Sequence, residues 1–269
     1  MAAHRLRRSG ARLLAMWVAL VWATQSPADT GAPTPEALRV EVLATYPHDP
    51  TAFTQGLVLD GSKLYESTGL VGRSSLREVE VATGRVLRRV EVPPPYFAEG
   101  LALVGPRLFQ LTWQNHLAFV YDVATFAQQE RLPYPTEGWG LCFDGTNLIM
   151  SDGSQKLFIR TPATFDASGI IVVTDQGRSV SHLNELECVG PVVYANVWQT
   201  DDLVRIDRAT GYVTARIRAA GLLTPDERRQ ADVLNGIAYD AQSDTFLITG
   251  KFWPKLFRVR FVPDAPAAR

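Results

Sequence analysis

Five short strings in this chain open on a residue and recur at nearly even spacing: Gln55-Gly56-Leu57, Glu99-Gly100-Leu101, Trp139-Gly140-Leu141, Asn184-Glu185-Leu186 and Asn235-Gly236-Ile237. Four of the five leading residues carry polar groups able to donate or accept hydrogen bonds. Fourteen residues after the leaders stand Gly69, Trp113, Gly153 and Trp198, with Lys251 in the corresponding place after a two-residue insertion. Brought together, a carboxyl, amide side chains, an ammonium and three indoles would form a small-molecule pocket with apolar walls and a few placed polar groups. Each tryptophan alone reads better as core packing, because indoles bury most of their surface. The polar ring alone reads equally well as the satisfied lining of a water-filled channel.

What could bring these residues together is a repeat. The strings Ala82-Thr83-Gly84, Ala124-Thr125-Phe126, Ala163-Thr164-Phe165 and Ala209-Thr210-Gly211 recur at spacings of 42, 39 and 46 residues, in phase with the five leaders. A second apolar segment opens at Leu64, Leu108, Leu148, Val193 and Phe246, after hairpin turns such as Asp60-Gly61 and Asp144-Gly145. Four short strands in a period of about 40 residues are the pattern of a propeller blade. The expected fold is therefore all-β, a five-bladed β-propeller of four-stranded antiparallel blades. The fifth copy ends after its third strand, at Phe261-Val262, while Val40-Glu41-Val42-Leu43-Ala44 precedes the first copy. Pairing of that N-terminal strand with the last blade would close the ring and remove an exposed edge. A solenoid or a two-sheet sandwich is the alternative. The one helix candidate runs from Pro225 to Asp232, with Thr224 as cap.

Composition bounds the rest. Hydrophobic residues make up 46% of the chain and charged residues 20%, enough for a globular core. The formal charge of −1 offers no basic field for a nucleic-acid backbone. Arg5, Arg7, Arg8 and Arg12 precede an apolar run from Leu13 to Ala23, which is too short to span a bilayer and reads as a secretory signal. The expected organisation is a signal over residues 1–23, a Pro/Ala/Thr-rich spacer over 24–38 and one propeller domain over 39–269. The mature protein is then periplasmic or extracellular, free of the membrane, with 23 basic against 28 acidic residues. Cys142 lies three residues past Trp139 and Cys188 four past Asn184, so on regular strands they face opposite ways. Two free, buried thiols are expected, unless one strand carries a bulge. His48, His116 and His182 show no metal-ligand spacing, so no catalytic zinc is expected. Glu185 stands where the other copies have glycine, and Glu187 points to the same side of its strand. Both could hold a structural cation in the channel or pair with an interior arginine or lysine.

Several motifs in order carry a resemblance: Phe53-Thr54-Gln55-Gly56, Phe97-Ala98-Glu99-Gly100, Glu137-Gly138-Trp139-Gly140, Leu183-Asn184-Glu185-Leu186-Glu187, Ala195-Asn196-Val197-Trp198-Gln199-Thr200 and Thr249-Gly250-Lys251-Phe252-Trp253-Pro254-Lys255. The chain resembles the plant and bacterial glutaminyl-peptide cyclotransferases over nearly its whole mature length. That resemblance implies a five-bladed propeller, acting as a metal-independent acyltransferase. It would turn the N-terminal glutamine of a peptide or protein into pyroglutamate and release ammonia. It implies Glu99 as the proton shuttle, and Gln55, Asn184 and Lys251 as groups that bind the substrate's polar atoms or the tetrahedral oxygen. Phe53, Phe97, Trp113, Trp139 and Trp198 would wall the pocket. Lys251 is the strongest electrostatic candidate; the competing reading is a surface lysine lying over Trp253. A monomer is the default expectation. The rivals are a non-catalytic propeller that binds a peptide or protein, and a metal-dependent lactonase-like hydrolase, which would want more carboxylates in the leading ring than Glu99.

Overall fold

The computed structural model describes residues 31–264; the expected signal, residues 1–23, lies outside them. The first strand, β1 (Glu36–Pro47), takes in the last residues of the segment read as a spacer. Two four-strand meanders follow, β2 (Thr54–Asp60), β3 (Lys63–Thr68), β4 (Ser75–Glu80), β5 (Arg85–Glu91), then β6 (Ala98–Val104), β7 (Arg107–Thr112), β8 (Leu117–Asp122), β9 (Gln128–Pro133). A third comprises β10 (Leu141–Phe143), β11 (Leu148–Ser151), β12 (Lys156–Arg160) and β13 (Ala167–Val172), with a small hairpin, β14 (Thr174–Asp175) and β15 (Arg178–Ser179), after it. The last strands are β16 (Leu183–Val189), β17 (Val192–Val197), β18 (Asp202–Asp207) and β19 (Val213–Arg218), then β20 (Leu234–Asp240), β21 (Thr245–Gly250) and β22 (Lys255–Pro263). The short helix α1 (Pro225–Arg228) sits between β19 and β20, shorter than expected from the sequence, with Thr224 and Glu227 forming a capping box.

The first three sets make separate four-stranded antiparallel sheets. The N-terminal strand pairs antiparallel with β22, from Leu38↔Pro263 to Pro47↔Lys255, and parallel with β19 from Glu36↔Ala215 to Arg39↔Arg218. It therefore joins the remaining strands into one eight-stranded sheet, in the order β16-β17-β18-β19-β1-β22-β21-β20. Apolar side chains fill the spaces between neighbouring sheets. Leu76, Leu101 and Phe119 pack between the first and second sheets, and Phe109, Leu141 and Met150 between the second and third. Ile149, Leu157 and Val193 join the third sheet to β17. Leu57, Leu64, Leu247 and Leu256 join the first sheet to β21 and β22, so the packing returns to its start.

The recurring Ala-Thr strings are tight turns between third and fourth strands. In two of them Asp122 and Asp207 accept both the backbone N–H and the hydroxyl of Thr125 and Thr210. The residue after each threonine is left-handed: Gly84, Phe126, Phe165 and Gly211 have φ of 69°, 59°, 63° and 75°. Glycine meets that demand freely. Phe126 and Phe165 meet it while buried in the inter-sheet cores, where apolar burial offsets the strain.

The two cysteines correct the expectation of free thiols: Cys142 and Cys188 form a disulfide, with their Cα atoms 5.5 Å apart. The reason is a bulge. The β16–β17 register shifts between Leu183 and Leu186, so one residue drops out of the alternation and Cys188 turns toward Cys142.

Candidate active site

The bulge in β16 belongs to a set. Register shifts occur at Thr54/Gly56, Ala98/Leu101, Leu183/Leu186 and Leu234/Ile237, each at the start of the first strand of its meander. Gln55, Glu99, Asn184 and Asn235 are the residues so displaced, and Trp139 lies just before β10. A bulge takes a side chain out of the ladder and re-aims it. Four polar leaders thereby leave the sheet faces at one end of the strands.

Glycine after the leader lets neighbouring backbones approach. A Cβ on Gly100 would stand 2.7 Å from Trp139 O, and one on Gly140 would stand 2.0 Å from Asn184 O. Glu185 occupies this position in the fourth copy, and its side chain crosses to two other strands. Its oxygens accept the backbone N–H of Leu57 at 3.3 Å and of Ile237 at 2.7 Å. Glu187 accepts Tyr239 N–H at 2.9 Å. The basic partner sought in the sequence is thus replaced by backbone amides of the edge strands β2 and β20. Among the described residues no group of three or more His, Cys, Asp or Glu side chains stands in metal-binding geometry.

Above this ring lies a cavity of about 440 Å³. Every site residue inferred from the sequence lines it: Phe53, Phe97, Trp113, Trp139 and Trp198 as walls, and Gln55, Glu99, Asn184 and Lys251 as polar groups. Backbone bonds hold the second set over the first. Gly69, Trp113, Trp198 and Lys251 donate their N–H to the carbonyls of Phe53, Phe97, His182 and Val233 at 2.8–3.0 Å. The rings meet edge to face, Phe53 on Phe97 at 5.9 Å, Phe97 on Trp113 at 5.8 Å and Trp139 on Trp198 at 5.5 Å. Two glycines of the second set make room for them: a Cβ on Gly69 would meet Phe97 at 2.3 Å, and one on Gly153 would meet Trp139 at 2.6 Å.

The polar groups are almost entirely withdrawn from solvent. Glu99 is 5% exposed and accepts Gln55 Nε2 at 3.0 Å on Oε1. Burial holds the Glu99 carboxyl well above the usual range; the charge of Lys251 opposes this and that of Glu137 adds to it. Lys251 is 5% exposed, with its ammonium 4.7 Å from the centre of the Phe53 ring. The reading of Lys251 as a surface side chain over Trp253 is therefore overturned. Trp253 is itself buried and donates its indole N–H to Asp232 O at 3.0 Å. Burial lowers the Lys251 pKa, against the pull of Glu99 and Asp232. Asn184 is buried with Oδ1 unpartnered, an acceptor left over in the cavity wall.

Asp232, Val233 and Gln199 also line the cavity, and the sequence reading missed them. It also missed the work of Glu137, quoted only as part of a motif. Glu137 Oε2 accepts the indole N–H of Trp113 at 2.8 Å and of Trp139 at 3.0 Å, and Oε1 accepts Gln114 Nε2 at 2.9 Å. Burial pushes the Glu137 pKa up, but those hydrogen bonds outweigh it and hold the carboxyl below its ordinary value. A signal existed for two of these residues. Phe53, Phe97, Glu137, His182 and Val233 all stand two places before a leader. Gln199 has no such phase.

A propeller-like all-β ring with an aromatic cup over a buried, elevated-pKa carboxyl defines a class of enclosed sites for a small group presented with polar atoms. The family model described as glutamine cyclotransferase matches residues 13–261. The glutaminyl-peptide cyclotransferase of Arabidopsis thaliana is 42% identical over 226 residues, covering 82% of this chain and 71% of that protein. The crystal structure of Myxococcus xanthus glutaminyl cyclase superposes with a TM-score of 0.78 at 38% identity, over 86% of this chain and all of that one. The chain belongs to the glutamine cyclotransferase family.

Proposed function

We propose that this protein is a metal-independent glutaminyl-peptide cyclotransferase, which closes the N-terminal glutamine of a peptide or protein into pyroglutamate and releases ammonia. The observation that carries this is the convergence of a buried Glu99, Gln55, Asn184 and Lys251 inside one aromatic-walled cavity, in a chain of this family. The α-amine must attack the γ-carboxamide carbon of its own residue. The cavity curls that side chain, and the aromatic walls keep water from competing with the amine. The attacking nitrogen loses one proton as its bond to carbon forms, and the departing nitrogen gains one as its bond breaks. Glu99 carries that proton. Burial raises its pKa well above the ordinary carboxyl range, which favours the protonated form that a general acid must present to the departing nitrogen. The unpartnered Oδ1 of Asn184 receives an N–H of the substrate, and Lys251 faces the negative charge that grows on the tetrahedral oxygen.

The same reading takes the architecture as five blades, with the eight-stranded sheet as two of them joined along β1 and β19. The five inter-sheet cores, the last of which returns to the first sheet, support that count. The disulfide supports an exported, oxidising location.

Ammonia release from a Gln-initiated dipeptide tests the activity, with the same peptide blocked at its amine as control. Release is expected from the free peptide only. Glu99→Gln keeps the fold and lowers kcat by about 10²-fold. No release from any Gln peptide by folded protein would move the assignment to a peptide-binding propeller.

A further inference from the structure

Behind the cavity lies a buried polar chain whose direction is set by a group that cannot turn. Asn235 is fully buried and is not itself a wall of the cavity. Its Nδ2 donates to the carbonyl oxygen of Thr54 at 3.0 Å and to Gln55 Oε1 at 3.1 Å. Gln55 Nε2 in turn donates to Glu99 Oε1 at 3.0 Å. A side-chain amide has two nearly isosteric orientations, so its direction must come from its partners. Here the backbone carbonyl of Thr54 is only an acceptor, so Asn235 must present nitrogen to it. The second hydrogen of that nitrogen then requires the oxygen of Gln55, which leaves the nitrogen of Gln55 for Glu99. The opposite arrangement would set three acceptors against one another in a site closed to water. The cost of the observed one is Asn235 Oδ1, which has no partner.

We propose that Asn235 is the positioning residue of the proton shuttle: through Gln55 it commits Glu99 Oε1 to accepting a hydrogen bond, so the transferable proton resides on Oε2, on the cavity side. No protein group among the described residues bonds Oε2, so the proton is free to pass between the two substrate nitrogens. This rests on Glu99 as the shuttle. The other charged groups that act on Glu99 are Lys251 and Glu137, and Glu99 in turn helps to raise the pKa of the buried Tyr134 hydroxyl. They bear on how readily Glu99 ionises, whereas Asn235 decides at which oxygen.

The test uses Asn235→Leu and the isosteric Asn235→Asp in the full mature protein, neither of which can donate to Thr54 O and Gln55 Oε1 together. The protonated Glu99 carboxyl is followed as the C=O stretching band that the Glu99→Gln variant lacks. In both variants Gln55 no longer holds its donor toward Glu99. The band should move to higher wavenumber, the pH–rate inflection abolished by Glu99→Gln should move to higher pH, and kcat should fall about tenfold with a smaller change in KM. A merely structural role would lower Tm and leave band and inflection in place. An unchanged band and inflection in a folded variant overturn the proposal. Should Asn235→Leu fail to fold, Asn235→Asp decides. Full activity in Glu99→Gln would instead sink the shuttle itself, while the band would still report whether Asn235 orders the carboxyl.

Discussion

At the scale of single residues, Glu137 shows how one carboxylate outside a catalytic ring shapes it. Its Oε2 takes the N–H groups of two indoles that come from different sheets, so Trp113 and Trp139 hold their planes without substrate. Preorganised walls lose less entropy on binding. Glu137→Ala frees both rings, and KM for a Gln peptide should rise about tenfold, from loss of hydrogen bonds worth about 1 kcal/mol each. The same change removes a negative charge that keeps Glu99 protonated. The Glu99 inflection should therefore move to lower pH, opposite to the shift expected for Asn235→Leu. Steady-state kinetics across pH reads both effects. That Glu99, Lys251 and Asn184 would line one cavity was legible in the sequence because each occupies a fixed phase of the repeat. Glu137 was not, since its value lies in what its oxygens touch.

At the scale of elements, the bulge at the start of four of the five first strands is the device that turns a sheet into a site. Alternation along the chain announces the strands themselves. It does not announce the bulges, because a bulge is a choice of cross-strand partner and leaves no trace in local periodicity. The misreading of Cys142 and Cys188 came from this. Two glycines separate the consequences. Gly140→Ala puts a methyl 2.0 Å from the backbone oxygen of Asn184, which cannot move without its strand. It should lower stability by about 3 kcal/mol or prevent folding, read by urea denaturation. Gly69→Ala puts a methyl 2.3 Å from the Phe97 ring, which can swing away. That variant should stay folded, with a raised KM and a smaller loss of stability.

At the scale of the whole molecule, closure places carboxyl groups on the axis. Glu185 and Glu187 have backbone amides for partners and no cation from a side chain among the described residues. Burial pushes Glu187 up to about 8, against the amide of Tyr239, and Glu185 well above its usual range. The unfolded chain releases these protons near pH 4.3, so in between the folded state binds more protons than the unfolded. Their contribution to stability is full below that pH and is lost as pH rises through about 8. Tm should accordingly fall as pH rises from about 4.3 to about 8, and Glu187→Gln should flatten that fall. A variant with the same slope as the parent would show that Glu187 ionises normally in the folded protein. The disulfide acts at this scale too, tying the third sheet to β16 across 46 residues of sequence. Links of this kind typically contribute about 2–4 kcal/mol.

The sequence by itself determined the all-β class, the phase of the repeats, the strand that closes on the last one and, among the cavity residues, the leaders and the set fourteen places after them. All of these follow from composition, spacing and alternation, which are properties of the chain read in order. Tertiary structure alone decided which way the leading side chains turn, which thiols meet, what Glu185 bonds across the axis, and that the polar chain runs from Asn235 through Gln55 to Glu99. Each of those depends on a contact between residues far apart in the chain, at distances that only packing sets.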